Sequence, residues 1–296
     1  NIAKNKIKTI CYNFMPIVDW TRTQLDFKLP TDGLALKFNY LQIIIFEMYI
    51  LKLKNLDERY SKKQINDAEK LYKKMKPKDV NNMKFSIMGG LPASETNYSI
   101  SGFKKMLDVY KNVQHNDLRE NLRDFIKAII PIAEENNIKM AIHPDDPPIP
   151  LFGVPRIVST YDDYNFILNS YNSESNGMTF CSGSLASNIH NNIYKIFNKF
   201  KDKVNFIHLR NVKIEKDNKS FYESNHLSGD VDFVKLIKMI LKEEKRRSKN
   251  KKVEIPMRPD HGHALLDDQK KKTFNPGYTA IGRLMGLSEL RGIIKA

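Results

Sequence analysis

The 296-residue chain predicts an α/β fold of the (β/α)8 TIM-barrel type, and three observations carry that prediction. Short apolar runs alternate with amphipathic stretches from Asp117 onward, the pattern of parallel strands buried between helices. Four residues able to ligate a metal each follow such a run: His143 after IKMAI, Cys181 after GMTF, His208 after VNFI and Asp260 after IPMRP. They are spaced by 38, 27 and 52 positions, close to one or two strand-plus-helix units when about 250 residues make eight units. Side chains so placed emerge at the C-terminal face of a barrel, where barrel enzymes keep their active sites, so the four read as a catalytic metal centre.

The elements justify themselves in order. A strand-like run from Ile7 to Phe14 opens the chain and leads to DWTRT, Asp19 to Thr23. Residues 36–83 have a helical pattern with charged faces and no strand-like run, which predicts a helical insertion beyond the barrel repeat. Gly89 to Pro92 break the chain. Asp117 is then expected to cap a long helix with Leu118, Leu122, Phe125, Ile126 and Ile129 on one face, and Glu120 completes a capping-box pair. Strands ending at His143, Cys181 and His208 follow, separated by helices near Tyr161–Tyr171 and Asn192–Phe200. After HLSGDVD (His226 to Asp232) come a helix from Phe233 to about Arg247 and a strand from Val253 to Met257, which runs into RPDHGH. NPGYTAIGR sets Tyr278 in a Gly/Pro turn before a last helix, and the whole reads as one domain over residues 1–296.

Composition excludes several function classes. The longest apolar stretch, Leu41 to Leu51, carries Gln42 and Glu47 and is far short of the roughly 20 residues that span a bilayer. No signal peptide is visible, and two cysteines 170 positions apart make no disulfide framework, which fits a reducing cytoplasmic location. Cys11 reads as a core thiol, leaving Cys181 free to act as a thiolate. The net charge of +15 comes from scattered lysines without a recognition motif, so it predicts no nucleic-acid partner but a field that attracts a small anion. The basic run EEKRRSKNKK reads as a solvated helix end.

Two imidazoles, a thiolate and a carboxylate make a donor set that Mn, Fe, Co and Zn all accept. Ligands drawn from four distant strands leave coordination positions open, unlike the closed sites of structural zinc. Singly, each has a plainer role as a buried or hydrogen-bonded residue; together they point to catalysis. RPDHGH places Arg258, Asp260, His261 and His263 within six residues, so a metal ligand, proton carriers and an anion clamp can share one turn. Asp145 and Asp146 in IHPDDPP either orient ligands or cap the loop.

CYNFMPIVDWTRT, GGLP, AIHPDDPP, LFGVPRIVST, TFCSGSL, FIHLRN, HLSGDVD, IPMRPDHGH and NPGYTAIGRLMGLSELRG together resemble the mannonate dehydratase family, from about Ile7 to the end. That resemblance implies a xylose-isomerase-like barrel, an Mn(2+) or Fe(2+) cofactor, and conversion of D-mannonate to 2-dehydro-3-deoxy-D-gluconate in hexuronate breakdown. It assigns His143, Cys181, His208 and Asp260 to the metal. The second DHGH histidine, His263, and the NPGY tyrosine, Tyr278, become candidate catalytic groups, with His261 and Arg258 beside them. Arg258, Arg210 and Arg22 are candidates to hold the substrate carboxylate. The family pattern begins earlier, so the chain is expected to lack the first barrel strands and to lose stability for it. Phe274 reads as an extra residue before NPGY. A homo-oligomer is left open. The alternatives are a metal-dependent sugar isomerase on the same barrel and an inactive truncated remnant.

Overall fold

The computed structural model describes residues 2–89, 99–271 and 275–296; part of GGLP and the Phe274 expectation lie outside the described residues. β1 (Thr9–Tyr12) precedes an antiparallel pair, β2 (Gln24–Lys28) and β3 (Leu34–Phe38). α1 (Tyr40–Ile45) continues as a π-helical segment over Phe46–Leu51, and α2 (Lys62–Tyr72), α3 (Pro77–Gly89) and α4 (Ile100–Tyr110) complete this helical region. α5 (His115–Glu135), β4 (Lys139–Ile142), α6 (Tyr161–Ser170), β5 (Asn176–Cys181), α7 (Ser182–Ala186), α8 (Ile193–Phe200) and β6 (Val204–Leu209) then alternate. A hairpin of β7 (Asn211–Ile214) and β8 (Phe221–Ser224) follows, then α9 (Phe233–Lys249), β9 (Met257–Pro259) and α10 (Ala280–Lys295).

Two sheets organise these elements. β1-β4-β5-β6-β9 form a parallel sheet whose spatial order follows the chain, as in an arc of a barrel. β2-β3-β8-β7 form an antiparallel sheet. In the parallel sheet, Tyr12 pairs with Ile142, Cys181 with His208, and His208 with Arg258, so the strand ends are level. Ile126 and Ile130 of α5, Phe180 of β5 and Phe197 of α8 pack in the core around that sheet. Full burial of each such side chain is worth about 1.5–3 kcal/mol. A second core gathers Phe38, Phe46, Phe103, Phe152 and Phe221, and Ala186 packs against both. Among the described residues no helix is long and apolar enough to cross a membrane.

Several expectations need correction. Residues 36–83 are not wholly helical: Leu34–Phe38 is a strand, because its partners β2 and β8 lie on both sides of it in space and one of them is remote in sequence. The hairpin β7–β8 escaped notice for the same reason; FYES shows only a single alternation, with Phe221 and Glu223 buried. The last strand starts at Met257 rather than Val253. Pro256 has no N–H for the ladder but accepts from Ile207 at 2.9 Å, and Val253 is 73% exposed. Helix α5 begins at His115, so Asp117 closes a capping box by accepting from the Gln114 N–H at 2.9 Å instead of serving as N-cap. Glu120 pairs with Arg123, and Phe125 is 39% exposed. Cys11 is exposed on edge strand β1 instead of being a core thiol. In the basic run, Glu243 and Arg247 are buried, and Arg247 donates to the Lys201 and Val204 carbonyls, tying α9 to the entry of β6.

Candidate metal centre and active site

The level strand ends bring His143, just past β4, together with Cys181 of β5 and His208 of β6. One potential ligand atom from each lies within 4.8 Å of the others, and all three residues are buried. Local bonds aim the imidazoles. His143 Nδ1–H donates to the Pro144 carbonyl at 2.7 Å, which leaves the Nε2 lone pair facing inward, 3.1 Å from His208 Nδ1. On the other side Arg258 Nε–H donates to His208 Nε2 at 3.2 Å. Burial pushes His143 below the ordinary histidine pKa, which keeps it neutral and able to ligate. Ser184 Oγ lies 3.2 Å from Cys181 Sγ. Trp20 packs edge-on against His143, with ring centroids 5.3 Å apart.

Asp260, just past β9, stands beside this trio: Oδ2 is 3.7 Å from His208 Nδ1, and Oδ1 is 3.9 Å from His261 Nε2. Burial alone would raise its pKa. His261, His208, Arg210 and Arg258 outweigh burial and hold the carboxyl ionised, well below the usual range. Arg258 donates to Asp260 at 3.2 Å, and its side chain is 35% exposed, so part of the guanidinium remains accessible.

The two histidines of the DHGH turn have different surroundings. His261 Nδ1–H donates to both oxygens of Glu223, at 2.7 and 2.6 Å, and Nε2 lies 3.3 Å from the Tyr278 hydroxyl. His263 instead donates from Nε2 to the Glu223 backbone carbonyl at 2.9 Å. Burial lowers the His261 pKa, but Asp260 and Glu223 more than reverse that, so it is raised overall. Burial pushes the Tyr278 phenol up to about 12, so it stays protonated at neutral pH. Tyr278 is placed by backbone: Gly277 takes φ +80°, its carbonyl accepts from Gly262 at 2.8 Å, and Tyr278 bridges Gly262.

Arg22 and Arg210 are buried and already paired. Arg22 donates to Asp146 at 2.9 and 3.0 Å and to Glu223 at 3.0 Å, while Arg210 is bonded to Asp146. Burial would raise both carboxyls; the two guanidiniums, with His261 for Glu223, outweigh it and bring Glu223 down to about 2. Asp145 caps the loop, accepting from Val158 N and Ser159 Oγ at 2.7 and 2.9 Å. Sequence reasoning missed Glu223 and Trp20. A buried carboxylate two residues after Phe221 on one strand face was the available signal for Glu223; Trp20, the sole tryptophan, carried none beyond its place in DWTRT.

Donor atoms gathered at the C-terminal edge of a parallel sheet, with a histidine–tyrosine pair next to them, define an α/β protein with the makings of an enzyme site. Comparison with known proteins narrows this. A family model described as D-mannonate dehydratase (UxuA) matches residues 1–296. Mannonate dehydratases of Marinomonas sp. (strain MWYL1) and Saccharophagus degradans are each 42% identical to this chain, over 99% and 100% of it and 75% of their own length. The crystal structure of mannonate dehydratase from Streptococcus suis serotype2 superposes with a TM-score of 0.72 at 31% identity, covering 99% of this chain and 67% of that one. The chain belongs to the mannonate dehydratase family, and its activity is that of a hydro-lyase, the dehydration of mannonate.

Proposed function

We propose that this dehydration depends on a divalent cation, Mn(2+) or Fe(2+), held by His143, Cys181, His208 and Asp260, and yields 2-dehydro-3-deoxy-D-gluconate. The observation that supports it is the three-residue cluster of ligand atoms within 4.8 Å, with an ionised carboxylate alongside. The donor set fits: one soft sulfur, two imidazole nitrogens and one carboxylate oxygen would suit a first-row metal. When bound, the cation stabilises the negative charge that builds on the substrate carboxylate as the neighbouring proton leaves.

The chain's own residues carry the rest. Arg258, the partly exposed arginine, holds the substrate carboxylate. Arg22 and Arg210, engaged by Asp146 and Glu223, fix the floor of the site. His261 Nε2 accepts the proton from C2, and Tyr278 donates its hydroxyl proton to the departing C3 hydroxyl, which leaves as water. The resulting enol picks up a proton at C3 as its C2 hydroxyl becomes the ketone, and His261 returns a proton to Tyr278 across 3.3 Å. Glu223 keeps His261 in the tautomer with Nδ1 protonated. His263, turned to a backbone carbonyl, has no part in this sequence.

The parallel sheet is read as an arc of a xylose-isomerase-like (β/α)8 barrel. A cytoplasmic setting in hexuronate catabolism is proposed, supported by the unpaired cysteines. Proton NMR of the product from D-mannonate tests the reaction class: a 2-keto-3-deoxy acid supports it, and an isomer that retains all its oxygen overturns it.

A further inference from the structure

We infer that His226 is a positioning residue for this reaction, acting by tying α10 to the end of β6. The inference rests on the dehydratase reading and extends it to a residue that touches none of the candidate reacting groups. His226 is buried and donates from Nε2 to the carbonyl of Leu209 at 3.0 Å. Leu209 lies between His208 and Arg210, one at the metal cluster and the other bonded to Asp146. On its other side the imidazole lies against α10. A Cβ at Gly286 would come within 2.4 Å of His226 Cε1 and 2.8 Å of Nδ1, so only glycine admits the ring. Glu289, three residues along α10, places Oε2 3.5 Å from Nδ1.

One turn earlier on the same helix face, Gly282 meets the backbone of His263, where a Cβ would lie 2.0 Å from its carbonyl oxygen. Gly262 in turn abuts Arg283, 2.3 Å from the backbone nitrogen by the same measure. The first turn of α10 is thus keyed to the DHGH turn and the second to His226. Tyr278 sits two residues before α10 begins, so the axial position of this helix sets the reach from Tyr278 to His261. His226 carries that register across to β6. The imidazole of His226 thus ties the helix that places the proton donor directly to the strand that places His208.

The test compares His226→Leu, His226→Gln and Gly286→Ala in the full chain with Mn(II) and D-mannonate. His226→Leu removes the donor, and Gln restores an N–H near the former Nε2. Gly286→Ala leaves His226 in place but forces its ring away. The expected result is a fall in kcat of about tenfold or more for the Leu and Ala variants with KM changed by less than about threefold, since small misplacements act on the chemical step. Gln recovers most of the rate. A purely structural role predicts lower stability with kcat unchanged in the surviving folded protein, or Gln as impaired as Leu; either overturns the inference. Absence of turnover in the unaltered chain would instead fail the dehydratase reading. Hydrogen exchange at Gly262 and Tyr278 then decides: faster exchange in Leu and Ala but not Gln supports the inference, and equal exchange overturns it.

Discussion

Glu223 grips Nδ1 of His261 with both carboxylate oxygens, at 2.7 and 2.6 Å, and so turns Nε2 of that ring toward Tyr278. The same carboxylate accepts from Arg22 at 3.0 Å. One side chain of β8 therefore joins the antiparallel sheet to the DHGH turn and to the loop after β1.

Removing this group has two separable effects. Glu223→Ala takes the buried acceptor from His261 Nδ1 and one of two buried carboxylate partners from Arg22, and is expected to cost about 3–5 kcal/mol in urea unfolding. Glu223→Gln keeps an acceptor for His261, so it is expected to fold while lowering kcat. A Glu223→Ala protein as stable as the parent would contradict the buried network.

The two DHGH histidines are predicted to separate in kinetics. His261→Asn should reduce kcat by about 10²–10⁴, the usual worth of a positioned proton carrier, and Tyr278→Phe should do the same. His263→Asn should keep kcat within about tenfold, since the His263 ring is turned to the Glu223 backbone carbonyl. Steady-state kinetics of the three variants check this, and a reversed order for the histidines would refute it.

The proposed metal binding has an optical reporter. Trp20 is the sole tryptophan and contacts His143 edge-on, so adding Mn(II) is expected to quench its fluorescence saturably. Cys181→Ala should abolish or strongly weaken that response. An unchanged titration in the variant would remove Cys181 from the ligand set.

Asp268 accepts from the Ile281 N–H at 2.9 Å in the first turn of α10, and Asp268→Ala is expected to cost about 0.5–2 kcal/mol. Burial raises the Asp268 pKa, but the bonds from Ile281 and Lys271 outweigh it, so the folded value is depressed. A depressed carboxyl contributes its stability above the unfolded value near about 3.9 and loses it as pH falls through the folded one. The stability gap between parent and variant should therefore be full at neutral pH and close under acid, as urea unfolding across pH would record.

Much of this architecture was legible because it is local. Runs such as IKMAI and VNFI are mostly apolar, as strands buried on both faces must be, and His143, Cys181, His208 and Asp260 stand at the ends of neighbouring strands. What escaped depends on remote pairing. LALKF and FYES pair with each other across 183 positions at Phe38–Phe221 and 185 at Lys37–Tyr222, and no periodicity within either announces it. The choice between His261 and His263 was equally hidden, since both occupy alternate positions of one turn and only the placement of Glu223 and Tyr278 tells them apart. Arg22 and Arg210 read as free anion clamps until their buried carboxylate partners were seen.

The central claim is tested most directly by turnover of D-mannonate by the purified chain with Mn(II), followed as the 2-keto-3-deoxy product, beside Cys181→Ala. The account predicts product from the parent chain and none above background from the variant. Folded, Mn-loaded parent protein that forms no product, or a Cys181→Ala chain that turns over at the parent rate, would contradict it.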